Sequence, residues 1–187
     1  QKPKEAIALL TSLEREETKD PMVFNMLGSA YAATGDLDKS AQYLHRAVES
    51  EPQDDKHRAS YSLALLEQGK TEEAMEQMRQ VTVSSSEVTE TDLLFVQKLI
   101  EKKAYKEAEE AIDRLESKHA DDPQLMNLRG GLMLAQGRIE DAAKIFEKAL
   151  TVSPGFPLAA HNLALLALRE KNTAKARSLY MEVIKDR

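Results

Sequence analysis

Residues 21–54 read PMVFNMLGSAYAATGDLDKSAQYLHRAVESEPQD. Asp20 and Pro21 open a helix, the carboxylate capping free N–H groups and the proline presetting φ at the first helical position. Phe24, Leu27, Gly28 and Tyr31 recur at i, i+3, i+4 and i+7, which places them on one stripe of that helix. Gly35 supplies a left-handed residue to end it, and Asp36 caps a second helix. Ser40, Leu44, Ala47 and Val48 form the inner face of the second helix, and Pro52 stops it. Gly28 lets the two helices approach closely, because it carries no side chain at their contact.

Working outward, the same unit recurs without insertion. Starting points fall at Pro21, Asp55, Thr89, Pro123 and Pro157, each 34 residues after the last. A fixed period of this size predicts a helical solenoid. The expected units are 21–54, 55–88, 89–122, 123–156 and 157–187. Residues 1–20 read as the second helix of an incomplete repeat, so the stretch is expected to be a fragment of a longer array spanning 1–187. The fold class is therefore all-α, an α-solenoid of one lone helix and five antiparallel helix pairs. No pair is viable alone, because short helices nucleate at a cost that only stacking against neighbours offsets. Departures from the pattern are few. Ser84-Ser85-Ser86 replaces the closing proline of the second unit and is expected to form an inter-helix turn. Lys103 and Lys171 stand where glycine is expected.

Composition narrows the function classes. The net charge is −6 with both signs interspersed, which argues against a nucleic-acid partner and against attraction to anionic lipid. There is no cysteine, so neither a disulfide nor a thiolate metal site is available. No apolar run approaches the ~18 residues of a membrane helix, so no direct membrane insertion is expected within these residues.

The pattern Phe24, Leu27, Gly28, Tyr31, Gly35, Leu44, Ala47 and Pro52, repeated in phase five times, resembles the tetratricopeptide repeat (TPR). That resemblance implies a right-handed superhelix, with first helices lining a concave groove and second helices forming the convex back. Within the family, residues 153–184 are similar to TPR-repeat lipoproteins of bacterial exosortase (PEP-CTERM) and exopolysaccharide systems. The likeness lies in Pro154-Gly155-Phe156-Pro157, Ala159-Ala160-His161-Asn162-Leu163-Ala164 and Ala174-Lys175-Ala176-Arg177. This narrower likeness implies a protein of the periplasm or anchored to the outer membrane, lipidated upstream of Gln1; a cytoplasmic protein is the alternative.

No phosphate-binding loop, nucleophile elbow or zincin motif occurs, so no enzymatic activity, catalytic residue or cofactor is expected. His45, His57, His119 and His161 occupy four different repeat positions; they are read as solvent-exposed, with no shared metal site. Helix periodicity puts a groove on Asn25, Ser29, Lys56, Leu63, Leu66, Leu93, Gln97, Ile100, Asn127, Leu134, His161, Leu165 and Leu168. This stripe is apolar with scattered amides. The Lys, Asn and Arg cluster with which some TPR domains grip a C-terminal carboxylate is absent. Such a groove suits an amphipathic helix or hydrophobic peptide, although several of its leucines equally fit packing between neighbouring first helices. Arg129 and Arg58 break the core pattern. Each is expected to lay its stem over the core with its head in solvent or on a carboxylate, Arg129→Leu then being neutral or stabilising. The alternative for Arg129 is contact with an anionic ligand group. The expected function is a non-catalytic interaction scaffold binding a protein or peptide, within a bacterial envelope or exopolysaccharide assembly. The alternative is a structural spacer or a subunit that self-associates through the array ends in polysaccharide export.

Overall fold

The computed structural model describes residues 2–15, 20–84 and 88–185, and every helix or strand among them is an α-helix. The helices are α1 (Lys2–Arg15), α2 (Pro21–Thr34), α3 (Leu37–Ser50), α4 (Asp55–Glu67), α5 (Thr71–Ser84), α6 (Glu90–Glu101), α7 (Tyr105–Glu116), α8 (Pro123–Ala135), α9 (Ile139–Val152), α10 (Pro157–Arg169) and α11 (Thr173–Lys185). The chain falls into two compact units, residues 1–87 and 88–187. In the first, α1 packs on α2, α2 on α3, α3 on α4 and α4 on α5, while first helices α2 and α4 also touch. In the second, consecutive helices from α6 to α11 pack in the same way, and first helices meet at α6–α8 and α8–α10. Within each unit, interior helices therefore bury one stripe on their hairpin partner and another on a neighbouring hairpin, the stacking that defines a helical solenoid.

Both ends of the helices are set by local chemistry. Asp20, Asp54 and Asp122 cap α2, α4 and α8 by accepting backbone N–H bonds one or two residues into the helix. The serine-rich turn expected over 84–86 falls mostly outside the described residues, with Ser84 closing α5. Thr89 differs from expectation. It is the N-cap of α6, not its first helical residue, because its hydroxyl accepts from the Asp92 N–H at 3.2 Å while Asp92 accepts the Thr89 N–H at 2.8 Å. This reciprocal capping box holds Thr89 outside the helix.

The turns within the five hairpins share one geometry. Gly35, Gly69, Lys103, Gly137 and Lys171 all have positive φ, between 60° and 83°. In each, the N–H of this residue bonds the carbonyl three residues back, and the following N–H bonds the carbonyl five back, as in Lys103 to Ile100 and Ala104 to Leu99. That is the Schellman closure. The expected glycine signal is thus a requirement of the backbone, and two lysines adopt it despite their Cβ atoms.

The core follows the repeat pattern. Ala74, Ala108, Ala142 and Ala176 occupy one position of successive second helices and are 0–3% exposed. Gly28 faces Leu44, and Gly130 faces the ring of Phe146, so close that a Cβ at either position would overlap those side chains. In the second unit Met126, Ala142, Phe146, Ala149, Leu163, Ala167 and Leu179 form one buried cluster. In the first, the Arg46 guanidinium lies 4.1 Å from the centre of the buried Phe24 ring, and Tyr31 stacks on Tyr43. Tyr180 is 38% exposed, and its hydroxyl lies 3.0 Å from His161 Nδ1.

Candidate functional site

The outward faces of the first helices carry the candidate site residues, and the two units differ in how they use them. In the second unit α10 presents an apolar stripe. Leu158 is 54% exposed, and Leu165 and Leu168 are 45% exposed each. Their spacing of seven and three residues keeps them on one face of a 3.6-residue helix. His161 sits on the same face and is exposed, its Nδ1 next to the Tyr180 hydroxyl. On α8, Leu134 is partly buried against the core of the unit, and the Asn127 side-chain carbonyl accepts a hydrogen bond from the Asn162 amide at 2.9 Å. That amide pair joins α8 to α10. On α6, Leu93 and Ile100 are half-buried, while Gln97 donates to Glu101 at 3.0 Å. Lys98 and then Gln97 hydrogen-bond the Glu101 carboxyl and hold it below its usual range.

In the first unit, Ser29 and Leu63 line a cavity of about 240 Å³ between α2, α3 and α4. Ala32, Leu37, Leu44 and Ala64 make its walls apolar, and Glu67 stands on its lining as the one charged group. Ser40 contributes a fully buried hydroxyl that meets no hydrogen-bond partner among the described residues. Lys56 is exposed.

Three expectations need correction. Leu66 is 0% exposed, so it belongs to the core and offers no surface to a ligand. Asn25 does not point to an open groove; its amide nitrogen lies 2.8 Å from His57 Nδ1, linking α2 to α4. His57 is not solvent-exposed. It is 4% exposed, because the third residue of α4 faces inward, as Leu125 does in α8 and Ala159 in α10. Arg129 takes the first of its two expected roles, its head on carboxylates, and not the alternative contact with an anionic ligand group. Its Nε and Nη2 donate to the two Glu116 oxygens at 2.9 and 2.8 Å, and Nη2 also reaches Asp113. Burial lowers its pKa, and the bonds to Glu116 and Asp113 outweigh that and leave it raised, which keeps the guanidinium charged and neutralised in place. Arg58 differs from its expected carboxylate or solvent contact, its head donating to the Gln77 side-chain carbonyl and to the Pro52 backbone carbonyl.

One constellation escapes a reading by repeat position. Glu51, Asp54 and His57 converge around the α3–α4 turn, with one ligand-type atom from each lying within 4.8 Å of the others. The spacing Glu-x-x-Asp-x-x-His is visible in the sequence. It is hidden when histidines are compared only with one another, since the carboxylates come from the turn and the imidazole from the helix.

Residues 65–132 and 133–187 match a tetratricopeptide-repeat family model, and residues 1–55 and 25–86 match a second one. No curated protein matches the chain. Among solved structures, the C-terminal part of a TPR repeat-containing protein from Cytophaga hutchinsonii superposes with a TM-score of 0.67 at 15% identity, covering 98% of this chain and 74% of that one. A tetratricopeptide repeat protein from Parabacteroides merdae gives 0.65 at 17% identity, covering 98% and 73%. Pseudomonas aeruginosa pilF gives 0.61 at 21% identity, covering 88% and 75%. At these identities the likeness speaks for the fold. The chain is a member of the tetratricopeptide-repeat family, whose fold is typically a non-catalytic scaffold and whose domains generally mediate protein–protein interactions.

Proposed function

We propose that this chain binds an amphipathic helical peptide of a partner protein across the first helices of its second unit, α6, α8 and α10, with α10 as the main contact. The observation that carries the reading is the exposed Leu158, Leu165 and Leu168 stripe, which leaves three large apolar side chains of one helix face in water. Such a stripe receives a helix through i, i+3/i+4 and i+7 anchors. The test is to pan a displayed library of helical peptides against the protein. Enriched peptides share that apolar spacing, and Leu165→Glu with Leu168→Glu abolishes their binding without loss of helicity. A Glu109→Lys change, on exposed α7 surface, leaves it intact. No enrichment, or binding indifferent to the leucines, refutes the reading.

Self-association is a second reading, favoured by Met181 (44% exposed) and Ile184 (64%) on α11 and by Leu9 (66%) on α1. It is tested by light scattering across concentration; a strictly monomeric protein removes it. The likeness of residues 153–184 to exosortase-associated lipoproteins supports an envelope location, and fractionation of the source cells that recovers the protein only in the cytoplasm removes that proposal.

A further inference from the structure

We propose that Glu51, Asp54 and His57 form a binding site for a divalent transition-metal cation of the zinc type, with Asn25 as the outer support of the imidazole. The donor set is one nitrogen and two carboxylates, the chemistry that suits zinc-like ions better than calcium or magnesium, which favour oxygen alone. The spacing fits. A tetrahedral ion with bonds of about 2.0–2.1 Å holds its ligands about 3.3–3.4 Å apart, and His57 Nε2 lies 3.3 Å from Glu51 Oε2. Asp54 caps α4 through Oδ1, which accepts from Lys56 N–H at 2.7 Å and His57 N–H at 3.1 Å, and it keeps its second oxygen for the cation.

The surroundings point the same way. The imidazole is 4% exposed, so its orientation is fixed by packing and not by solvent. Asn25 sits behind it at Nδ1. Metal-bound histidines donate their other ring N–H to an oxygen acceptor, which fixes the tautomer. Asn25 can serve in either sense. With its amide nitrogen toward Nδ1, the ring proton sits on Nε2, on the side of Glu51. With the amide turned over, the carbonyl oxygen accepts from Nδ1–H and the Nε2 lone pair faces the two carboxylates. Oxygen and nitrogen ends are nearly isosteric, so the exchange needs no new space. Among the described residues Glu51 makes its only ion pair with His57, and no lysine or arginine pairs with Asp54. Two negative charges thus close on one imidazole, and a cation there would tie the α3–α4 turn to α4 and, through Asn25, to α2. None of the other turns that lead into a first helix assembles this triad among the described residues. The residues at the same repeat position in α2, α6, α8 and α10 are Val23, Thr91, Leu125 and Ala159, none of which is a histidine.

The experiment is titration of the whole chain with Zn²⁺ alone, followed by calorimetry, with Mg²⁺ as the comparison ion. Co²⁺ substitution is read by its visible d–d absorption. The expected result is one Zn²⁺ per chain at micromolar affinity, no comparable Mg²⁺ binding, and a rise in melting temperature with Zn²⁺. Glu51→Gln, at an exposed side chain, and Asp54→Asn, which retains an N-cap, each weaken binding at least tenfold with unchanged circular dichroism. Asn25→Ala weakens it by about 10- to 100-fold, the usual cost of losing an outer-shell partner. The proposal is overturned by an affinity no tighter than millimolar. It is equally overturned by Zn²⁺ binding that ignores Glu51→Gln and Asp54→Asn, which would place the ion on the exposed histidines instead.

Discussion

Replacing Lys103 and Lys171 by glycine should stabilise the second unit. Both lysines hold φ at 60°, in the left-handed region occupied at the other three hairpin turns by Gly35, Gly69 and Gly137. A residue with a Cβ is disfavoured there by roughly 1–2 kcal/mol. Glycine relieves that strain but also loosens the unfolded chain, which returns about 0.4–1 kcal/mol. The difference leaves roughly 0.5–1 kcal/mol per site. The Schellman hydrogen bonds are already made at both lysines, Lys103 N–H to the Ile100 carbonyl and Lys171 N–H to the Leu168 carbonyl at 3.0 Å each, so no new bond enters the sum. The sites lie in different hairpins, α6–α7 and α10–α11, and share no partner, so the double variant should gain roughly 1–2 kcal/mol. Urea unfolding followed by helix ellipticity reads this as a higher midpoint at unchanged slope. Lys103→Ala and Lys171→Ala are the controls. They keep the Cβ and should gain nothing, which separates backbone relief from loss of charge. Equal gains for alanine and glycine, or a loss on going to glycine, would refute the reasoning.

Other substitutions test the packing and the charges. Ser40→Ala should raise stability by about 1 kcal/mol in the same assay, because it removes a buried hydroxyl with no partner among the described residues and restores the alanine found at Ala74, Ala108, Ala142 and Ala176. Adjacent glycines should respond with opposite signs. Gly130→Ala puts a Cβ 2.7 Å from Phe146 Cζ and should cost roughly 1–3 kcal/mol, whereas Gly131→Ala meets nothing within 4 Å and should gain up to about 1 kcal/mol of helix propensity. Arg129→Leu, expected from the sequence to be neutral or stabilising, should instead destabilise by about 1 kcal/mol, a figure discounted for solvent, since it leaves Glu116 without the bidentate partner the structure shows; adding Glu116→Leu should recover the loss, as a double-mutant cycle would show. The Asp36 carboxyl is held below its usual range, first by the Lys39 backbone N–H, so its contribution is present above the unfolded-state pKa and is lost as pH falls through the folded one. Asp36→Asn should therefore lower the urea midpoint most at neutral pH and converge on the wild type in acid.

The fold was legible because stacking neighbours fix the period. Second helices begin at Leu37, Thr71, Tyr105, Ile139 and Thr173, all 34 residues apart, since the Schellman turn before each admits no extra residue. First helices are looser. Thr89 slips outside α6 because a threonine followed three residues later by Asp92 closes a capping box that the Asp-Pro starts do not use. The site was less legible for a related reason. Repeat position says which way a side chain leaves its helix, but not whether another side chain already meets it. Asn25 and Asn127 leave α2 and α8 from the same repeat position, and each is met by a residue of the next first helix, His57 and Asn162. Leu66 and Leu168 also share a repeat position; the first is fully covered and the second is 45% exposed.

The inward-facing third residue of each first helix shows where the repeats acquire individual chemistry. Leu125 and Ala159 fill that slot with apolar groups, which are satisfied by contact alone. His57 puts a polar group in it, 4% exposed, and a polar group so buried must find partners close at hand. Asp92, which lies one repeat position further along α6 and is 3% exposed, finds its partners on its own element, in the Thr89 N–H and hydroxyl at 2.8 and 2.7 Å. His57 cannot, because the two ring nitrogens point away from each other. It reaches Asn25 on α2 with one and Glu51 beyond the end of α3 with the other. A histidine in this slot therefore links α4 to α2 by a hydrogen bond and to the end of α3 by a close polar contact, where a leucine would only press on them. Its neighbours are constrained in turn: removing either Asn25 or Glu51 strands one nitrogen of a buried ring, whether or not a metal ion joins them. That coupling makes the α3–α4 turn the place in this chain where a single ligand could act on several helices at once.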